Sequence, residues 1–233
     1  MESATPGSAG DGDELKTFHL QLPAKPEDIA KLELGAAVYL TGVIYTAREG
    51  VYKRVLEQGV PVPVDLASIS NANFHCSPAA SVNADGTYNV GAITATASFR
   101  FAKWMKRWLE LSGCKLVLGK GGMPVEDYKE VLAPLGAVYL TTVGYGTGAL
   151  LGRGIKRVRD VFWLDELGIA QAMWMFEVEN CGPFLVESDL AGNSLFAQHN
   201  EQVNANIQAL YAGLKPPALH RYGETDDRKR EVM

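Results

Sequence analysis

The sequence predicts an α/β domain built around a mixed β-sheet. Stretches rich in β-branched and aromatic residues dominate the first half of the chain, whereas strand and helix patterns alternate in the second half. The chain has 233 residues, of which 47% are hydrophobic, which is enough to bury one large core. Helices and strands in this order favour three packed layers.

Turn signals separate the elements predicted in the first half. A short alternating strand begins near Phe18, a buried strand spans residues 36–47, and residues 48–59 have helical spacing. An extended, proline-containing segment follows. Asp85-Gly86 then predicts a hairpin turn between two extended runs.

Strands and helices alternate in the second half. The predicted order is a helix over 100–113, a strand from 114, a helix over 125–132, a strand from 137, a helix over 149–158, a strand over 157–166, a hairpin over 173–196 and a helix near 200–214. We expect a disordered leader at 1–16, a single domain over 17–214 and a charged tail at 215–233.

Composition excludes several classes of function. The net charge of −5 provides no basic field for nucleic acid. No apolar run reaches the ~20 residues that a membrane span needs, and the N-terminus lacks the features of a signal peptide. The three cysteines are dispersed without metal-ligand spacing, so we expect a reducing, cytoplasmic location and no metal site in this chain.

A glycine-rich segment, "GYGTGALLGRG" at 144–154, has two interpretations. Glycines at a strand–helix junction can let backbone N–H groups approach a pyrophosphate, as in nucleotide-binding oxidoreductases. However, the spacing is not GxGxxG, and close packing of a helix against a strand is favoured instead.

Cations follow three of the apolar runs. Arg48 follows "LTGVIYTA", Arg100 follows "TATASF", and Lys120 lies in "GKGGM" after "KLVLG". Each cation taken alone is interpreted as the solvated end of a strand. Lys120 could also bind a phosphate, bind a carboxylate, or lie in a turn without any ligand. Together they could bind a substrate with two carboxylates, and Thr96 lies four residues before Arg100. His75, in "NFHCSP", is interpreted as a structural histidine.

Several motifs then resemble a known family when taken in order. They are "YLTGVIYTAREGVYKRVLEQGVPVPVDL", "NFHCSP", "TASFR", "KLVLGKGG", "LGAVYL" and "GPFLVESDLAGNSLF". They are similar to the β subunit of class I iron–sulfur hydro-lyases, the fumarate hydratase and L(+)-tartrate dehydratase group. The resemblance covers roughly residues 33–196 and looks closer to the tartrate dehydratase β subunit.

The resemblance implies a swivelling β/β/α domain and a hydro-lyase that adds or removes water on a small hydroxy-dicarboxylate. It also implies a [4Fe–4S] cluster on a partner α subunit, in an α2β2 or similar assembly. This chain has no cluster motif, so we expect the cluster to be ligated by the partner and the chain alone to be inactive.

The resemblance further implies roles for four residues. Arg48 matches the arginine of the family's "YTAR" segment and Arg100 that of "TTxxR", both ligands of substrate carboxylates. Thr96 matches the threonine thought to be the catalytic base, and Lys120 matches the lysine of "GKG", near the substrate or the base.

Three departures from the family pattern bear on the substrate. Phe101 replaces a methionine after the arginine, Tyr52 replaces the histidine of "ARDxxH", and Ser77-Pro78 replaces Gly-Pro. Bulky residues beside Arg100 are compatible with a larger or branched acid.

Another interpretation of the same motifs is a non-catalytic anion-binding or assembly module. In either case, the apolar bulk of the helix at 100–111, or of the C-terminal helix at 207–214, predicts contact with another subunit.

Overall fold

A seven-stranded mixed sheet organises the chain, and a two-stranded hairpin forms a second sheet. The computed structural model describes residues 15–144, 146–210 and 212–213, so the predicted tail and most of the predicted leader lie outside the described residues. The strands are β1 (Thr17–Gln21), β2 (Ala37–Thr46), β3 (Ala72–Phe74), β4 (Cys76–Val82), β5 (Tyr88–Ala95), β6 (Leu116–Gly119), β7 (Val138–Thr142), β8 (Ile155–Phe162) and β9 (Met173–Val186).

Most helices are short. They are α1 (Pro26–Ile29), α2 (Glu49–Tyr52), α3 (Leu66–Ile69), α4 (Ala102–Ser112), α5 (Val125–Asp127), α6 (Gly148–Arg153), α7 (Leu164–Leu167) and α8 (Leu195–Leu210). α2 and α5 continue as single π-helical turns, Lys53–Glu57 and Tyr128–Leu132, and a 3₁₀ turn, Ser98–Phe101, precedes α4. A second 3₁₀ turn, Ala133–Leu135, follows the π-turn after α5.

The strand order is β1-β2-β3-β6-β7-β9-β8, and β9 also pairs with β2. β2, β3, β6 and β7 are parallel, whereas β9 runs antiparallel to both β2 and β7. The pairings β2–β3–β6–β7–β9–β2 therefore form a closed ring. The carboxyl ends of the parallel strands all lie at one edge of this ring.

Two apolar clusters cover the two faces of the sheet. One face packs against α4, through Trp104, Met105, Trp108 and Leu109. The other face carries residues such as Phe74, Leu118 and Leu140, together with Ile93 of the hairpin. The mixed α/β fold predicted from the sequence is thus confirmed, with helices, the large sheet and the hairpin in successive layers.

Two element predictions were wrong. The helix predicted over 149–158 ends at Arg153, because residues from Ile155 onward pair with β9 as β8. The hairpin predicted over 173–196 is instead one fourteen-residue strand, β9, since its partners along that length are β2 and β8. The turn at Gly192-Asn193 closes only a single bridge, Ser188 to Ser194.

The apolar residues of the helix at 100–111 are needed by the chain's own core. Phe101, Trp104, Met105 and Trp108 are each 5% exposed or less. They provide no surface for another subunit, so the assembly prediction now rests on the C-terminal helix. No described helix has the length and apolar character needed to cross a membrane.

The described residues up to Ala197 form one compact unit, and Gln198 begins a second. In the second unit, Val203, Ile207 and Leu210 of α8 form an exposed apolar stripe at helical spacing. The boundaries 1–16, 17–214 and 215–233 remain predictions.

We predict that Trp108→Ala lowers the free energy of unfolding by about 3–5 kcal/mol, the usual cost of deleting a buried tryptophan. Trp108 is fully buried, and its indole N–H has no partner among the described residues, so the loss is one of packing alone. Leu111→Ala, in the same helix but at a position 50% exposed, should change it by about 0.5 kcal/mol or less. Chemical denaturation of both variants tests this, and equal effects would contradict the assignment of the core.

Candidate active site

Arg48 lies directly beyond the end of β2 and is half-buried. Its Nη1 donates to the carbonyl oxygen of Ala170 at 2.7 Å and also to the hydroxyl of Ser77. The Ser77 hydroxyl donates to the same carbonyl at 3.1 Å. The Nε–H of Arg48 is buried without a partner among the described residues. The guanidinium is therefore held in place while one donor stays available.

Arg100 is exposed and lies in the 3₁₀ turn before α4. Burial lowers the pKa of Arg48, and the positive charge of Arg100 lowers it further. The charge of Arg100 thus acts on Arg48, and the exposed carboxylate of Glu49, which pairs with Lys53, offsets this effect in part. Neither arginine forms an ion pair with a described carboxylate. Two cations that lack an ion-pair partner favour binding of an anion from outside the chain.

Thr96 follows β5 and is only 6% exposed. Its N–H donates to the carbonyl of His75 at 2.7 Å, and its carbonyl accepts from the N–H of Lys120 at 3.2 Å. The Ser98 N–H donates in turn to the carbonyl of Lys120 at 3.1 Å. Thr96 is therefore held between the ends of β3 and β6. Its hydroxyl makes no hydrogen bond to a described residue.

Lys120 is half-buried at the end of β6 and has no ion pair within the described part of the chain. It lines two cavities, of about 260 Å³ beside β5 and α6 and about 360 Å³ beside Phe196. Neither cavity is lined by Thr96, Arg48 or Arg100. The structure thus joins Thr96 to Lys120 through the backbone and places Arg48 within reach of the charge of Arg100, but neither of these two cavities encloses all four residues.

A buried polar chain lies beneath these residues, and the sequence did not reveal it. The Nδ1 of His75 is 2.7 Å from the Ser98 hydroxyl, and its Nε2 is 2.8 Å from the Tyr52 hydroxyl. Tyr139 donates to the Ser98 hydroxyl at 2.8 Å, and the Asn73 amide donates to Tyr52 at 2.7 Å. The partners come from distant parts of the chain, so no local motif signals them. His75 is indeed a structural histidine with both nitrogens bonded.

The His75 ring is neutral at ordinary pH. Burial lowers its pKa from 6.5 to about 3, and the charge of Arg48 acts in the same direction. A neutral imidazole has one donor nitrogen and one acceptor nitrogen. His75 can therefore donate a hydrogen bond from one ring nitrogen and accept one at the other, and it does not add a third positive charge beside Arg48.

Gly119 makes room for this chain of hydrogen bonds. A Cβ at position 119 would lie 2.0 Å from the Ser98 hydroxyl and 2.8 Å from that of Tyr139. Only a residue without a side chain lets Ser98 and Tyr139 meet at the end of β6.

Gly148 and Gly152 in the segment 144–154 serve packing, whereas a Cβ at Gly144 or Gly146 would meet nothing within 4 Å. A Cβ at Gly148 would lie 2.7 Å from the carbonyl oxygen of Ile93, and one at Gly152 would lie 2.7 Å from that of Gly91. α6 therefore lies directly against β5, as the packing interpretation requires. The described residues add nothing in favour of a nucleotide loop.

The cysteines do not fit a metal cluster. Cys76 and Cys181 belong to the apolar cluster on one face of the sheet, whereas Cys114 belongs to the cluster on the other face. All are buried, and burial raises the pKa of each thiol. Among the described residues, no three His, Cys, Asp or Glu side chains converge on a common point.

The fold and the cation-lined edge define a class of protein. A family model described as "Fumarase C-terminus" matches residues 2–199, and the chain belongs to this family. The family includes chains of hydro-lyases, as the motifs predicted.

Named relatives narrow the class. "L(+)-tartrate dehydratase subunit beta" of Escherichia coli (strain K12) is 30% identical over 184 residues, which cover 78% of this chain and 88% of that protein. "Putative L(+)-tartrate dehydratase subunit beta" of Methanocaldococcus jannaschii is 35% identical over 187 residues, covering 79% and 93%. The predicted relationship to hydro-lyase β subunits is thereby confirmed.

A third relative carries the same domain within a longer chain. "Putative fumarate hydratase class I" of Geobacillus stearothermophilus is 32% identical over 197 residues, which cover 84% of this chain but only 36% of that protein. The present chain therefore corresponds to about a third of this relative.

We predict that Gly119→Ala destabilises the fold by about 1–3 kcal/mol, since the added methyl must displace the Ser98 hydroxyl. Gly91→Ala in β5 is the control, because a Cβ there meets nothing within 4 Å and should change stability by about 0.5 kcal/mol or less. Denaturant titrations compare the two. A tolerated Gly119→Ala would mean that Ser98 is free to move.

The neutral His75 also predicts a pH dependence of stability. Below pH 6.5 the unfolded chain binds a proton on this ring that the folded chain rejects until about pH 3. The free energy of unfolding should therefore fall on acidification across this window, by up to about 1.4 kcal/mol per pH unit. His75→Asn removes this contribution. The difference between wild type and variant should shrink as the pH falls, and a constant difference would show that the ring does not titrate in this window.

Proposed function

We propose that this chain is the β subunit of an iron–sulfur-dependent hydro-lyase that adds or removes water on a small hydroxy-dicarboxylate. The relatives named after tartrate and fumarate support this substrate class. The observation that carries the proposal is the pair Arg48 and Arg100, two neighbouring cations without a described acidic partner, at the strand edge where Thr96 and Lys120 also lie.

Arg48 and Arg100 would hold the substrate carboxylates. A guanidinium offers two parallel N–H donors to a carboxylate, and the buried Nε–H of Arg48 is such a donor without a partner. Lys120 would add a compact positive charge. Neutralising these carboxylates also lowers the cost of forming the carbanion-like charge that appears when a proton leaves the adjacent carbon.

Thr96 would remove that proton. A threonine hydroxyl is a poor base in water, so the nearby cations must favour its deprotonated form. The main chain of Thr96 is fixed on both sides, while its hydroxyl has no partner among the described residues. A hydroxyl in this state is available to the substrate and does not first have to break an internal hydrogen bond.

The [4Fe–4S] cluster would belong to a separate α subunit. The cysteines of this chain lie on opposite faces of the sheet and are buried, so they do not fit as cluster ligands. The name "subunit beta" of the relatives supports an α partner. The swivelling character of the β/β/α domain and an α2β2 or similar stoichiometry remain predictions, as does a cytoplasmic location.

The departures from the family motif leave the substrate class unchanged. Phe101 is 2% exposed and packs against Tyr52 and His75, so it does not widen or narrow a substrate site. Phe99, which is 56% exposed, is the bulky residue next to Arg100 that could meet a larger acid. A panel of C4–C6 hydroxy-dicarboxylates covers both cases.

We predict that Thr96→Val, in the complex with the α subunit, lowers kcat by roughly 10²–10⁴ and leaves KM nearly unchanged, because only the hydroxyl is lost. Arg100→Lys should raise KM and lower kcat together, since lysine keeps the charge but loses the paired donors. Steady-state kinetics and substrate titration resolve the two effects.

Matched controls are available elsewhere on the surface. Thr17→Val in β1 and Arg157→Lys in β8, where Arg157 pairs with Glu177, should both leave kcat and KM unchanged. A Thr96→Val enzyme that keeps most of its kcat would remove threonine from the mechanism. If the wild-type complex showed no turnover of any acid in the panel, the chain would be an anion-binding or assembly module.

A further inference from the structure

Ser98 occupies the middle of the segment that carries Thr96 and Arg100. It is fully buried, and its hydroxyl lies 2.7 Å from the Nδ1 of His75 and 2.8 Å from the hydroxyl of Tyr139. The side chain of Ser98 thus anchors this segment to two strands of the sheet, and Gly119 leaves space for the anchor.

His75 is hydrogen-bonded to the same segment at two points. Its carbonyl accepts from the N–H of Thr96 at 2.7 Å, and its ring is bonded to the Ser98 hydroxyl. Its own N–H donates to the carbonyl of Leu118 at 2.8 Å, which ties it to β6. His75, at the end of β3, therefore fixes the main chain of Thr96, which precedes Ala97, and the side chain of Ser98, which follows it.

Hydrogen bonds hold the ring at both nitrogens in either neutral tautomer. The Ser98 and Tyr52 hydroxyls can each donate or accept, so Nδ1 is bonded to Ser98 at 2.7 Å and Nε2 to Tyr52 at 2.8 Å whichever nitrogen carries the proton. The low pKa of the ring, about 3, keeps this arrangement intact at neutral pH.

We propose that His75 is a positioning residue, which acts through Ser98 to hold Thr96 and Arg100 at a fixed angle to the end of β6. Its ring touches neither the substrate nor the Thr96 hydroxyl in this role. The effect of His75 on catalysis depends on the proposed function. The claim that the ring orders the Thr96 segment depends only on the hydrogen bonds.

Two substitutions of His75 test the contacts of its two ring nitrogens separately. The amide of asparagine reaches the place of Nδ1, so His75→Asn can keep the bond to Ser98 and lose the one to Tyr52. The amide of glutamine reaches the place of Nε2, so His75→Gln can keep the bond to Tyr52 and lose the one to Ser98. Ser98→Ala removes the same bond from the other side by deleting one atom, and exposed Ser81→Ala is its control.

The first measurement needs only the full-length chain. Backbone amide resonances of Thr96 and Lys120 should move in His75→Gln and Ser98→Ala and stay in place in His75→Asn and Ser81→Ala. Unmoved Thr96 and Lys120 resonances in both His75→Gln and Ser98→Ala would overturn the proposal whatever the enzyme does.

The second measurement uses the complex with the α subunit. His75→Gln and Ser98→Ala should lower kcat by about 10²-fold with little change in KM, the penalty expected for a displacement of about 1 Å, whereas His75→Asn should keep most of the activity. Equal losses in His75→Asn and His75→Gln, matched by equal losses of stability, would show that the ring only fills space. If Thr96→Val retains its kcat, the proposed base is wrong, and the amide resonances alone then decide whether His75 orders the segment.

Discussion

The parallel alignment of β2, β3, β6 and β7 is the constraint on which the site depends. Each strand ends at the same edge, where Arg48 and Lys120 follow β2 and β6 and the main chain of Thr96 is bonded to His75 and Lys120. β9 holds this alignment because it pairs with both β2 and β7 and so closes the ring. Both faces of the sheet are buried under separate apolar clusters, which makes a slip in register costly on either side.

The edge of the sheet carries an unfavourable repulsion between positive charges. Arg48 and Arg100 repel each other, and partial burial of Arg48 strengthens the effect. The carbonyl of Ala170 and the hydroxyl of Ser77 hold Arg48 in spite of this repulsion. The exposed carboxylate of Glu49 relieves it only in part, because this side chain pairs with Lys53. Sites that bind anions commonly keep such unfavourable charge in the free protein, and the proposed dicarboxylate ligand would remove the repulsion on binding.

Local signals were sufficient where the contacts are local. Asp85-Gly86 gave the hairpin, Gly113 ended α4, and the cations at strand ends indicated the edge of the sheet. The sequence failed where partners are far apart. A second strand was predicted after Gly192-Asn193 because the true partner of β9, β2, lies 130 or more positions away in the sequence. α6 was extended because the strand that draws Ile155 into β8 comes later in the chain. The bond between His75 and Ser98, 23 residues apart, has no signature at all.

These contacts show what two of the departures from the family motifs do in the structure. Tyr52, in place of a histidine, bonds the ring of His75, and Ser77, in place of a glycine, bonds Arg48. Ser77 contacts a proposed ligand directly, Tyr52 reaches the Thr96 segment only through His75, and neither departure removes a cation. The histidine ring must also remain neutral, since a charged ring would add a third cation beside Arg48, and burial ensures that it does. These two departures therefore alter the contacts of Arg48 and His75 and leave Arg48, Arg100 and Lys120 in place.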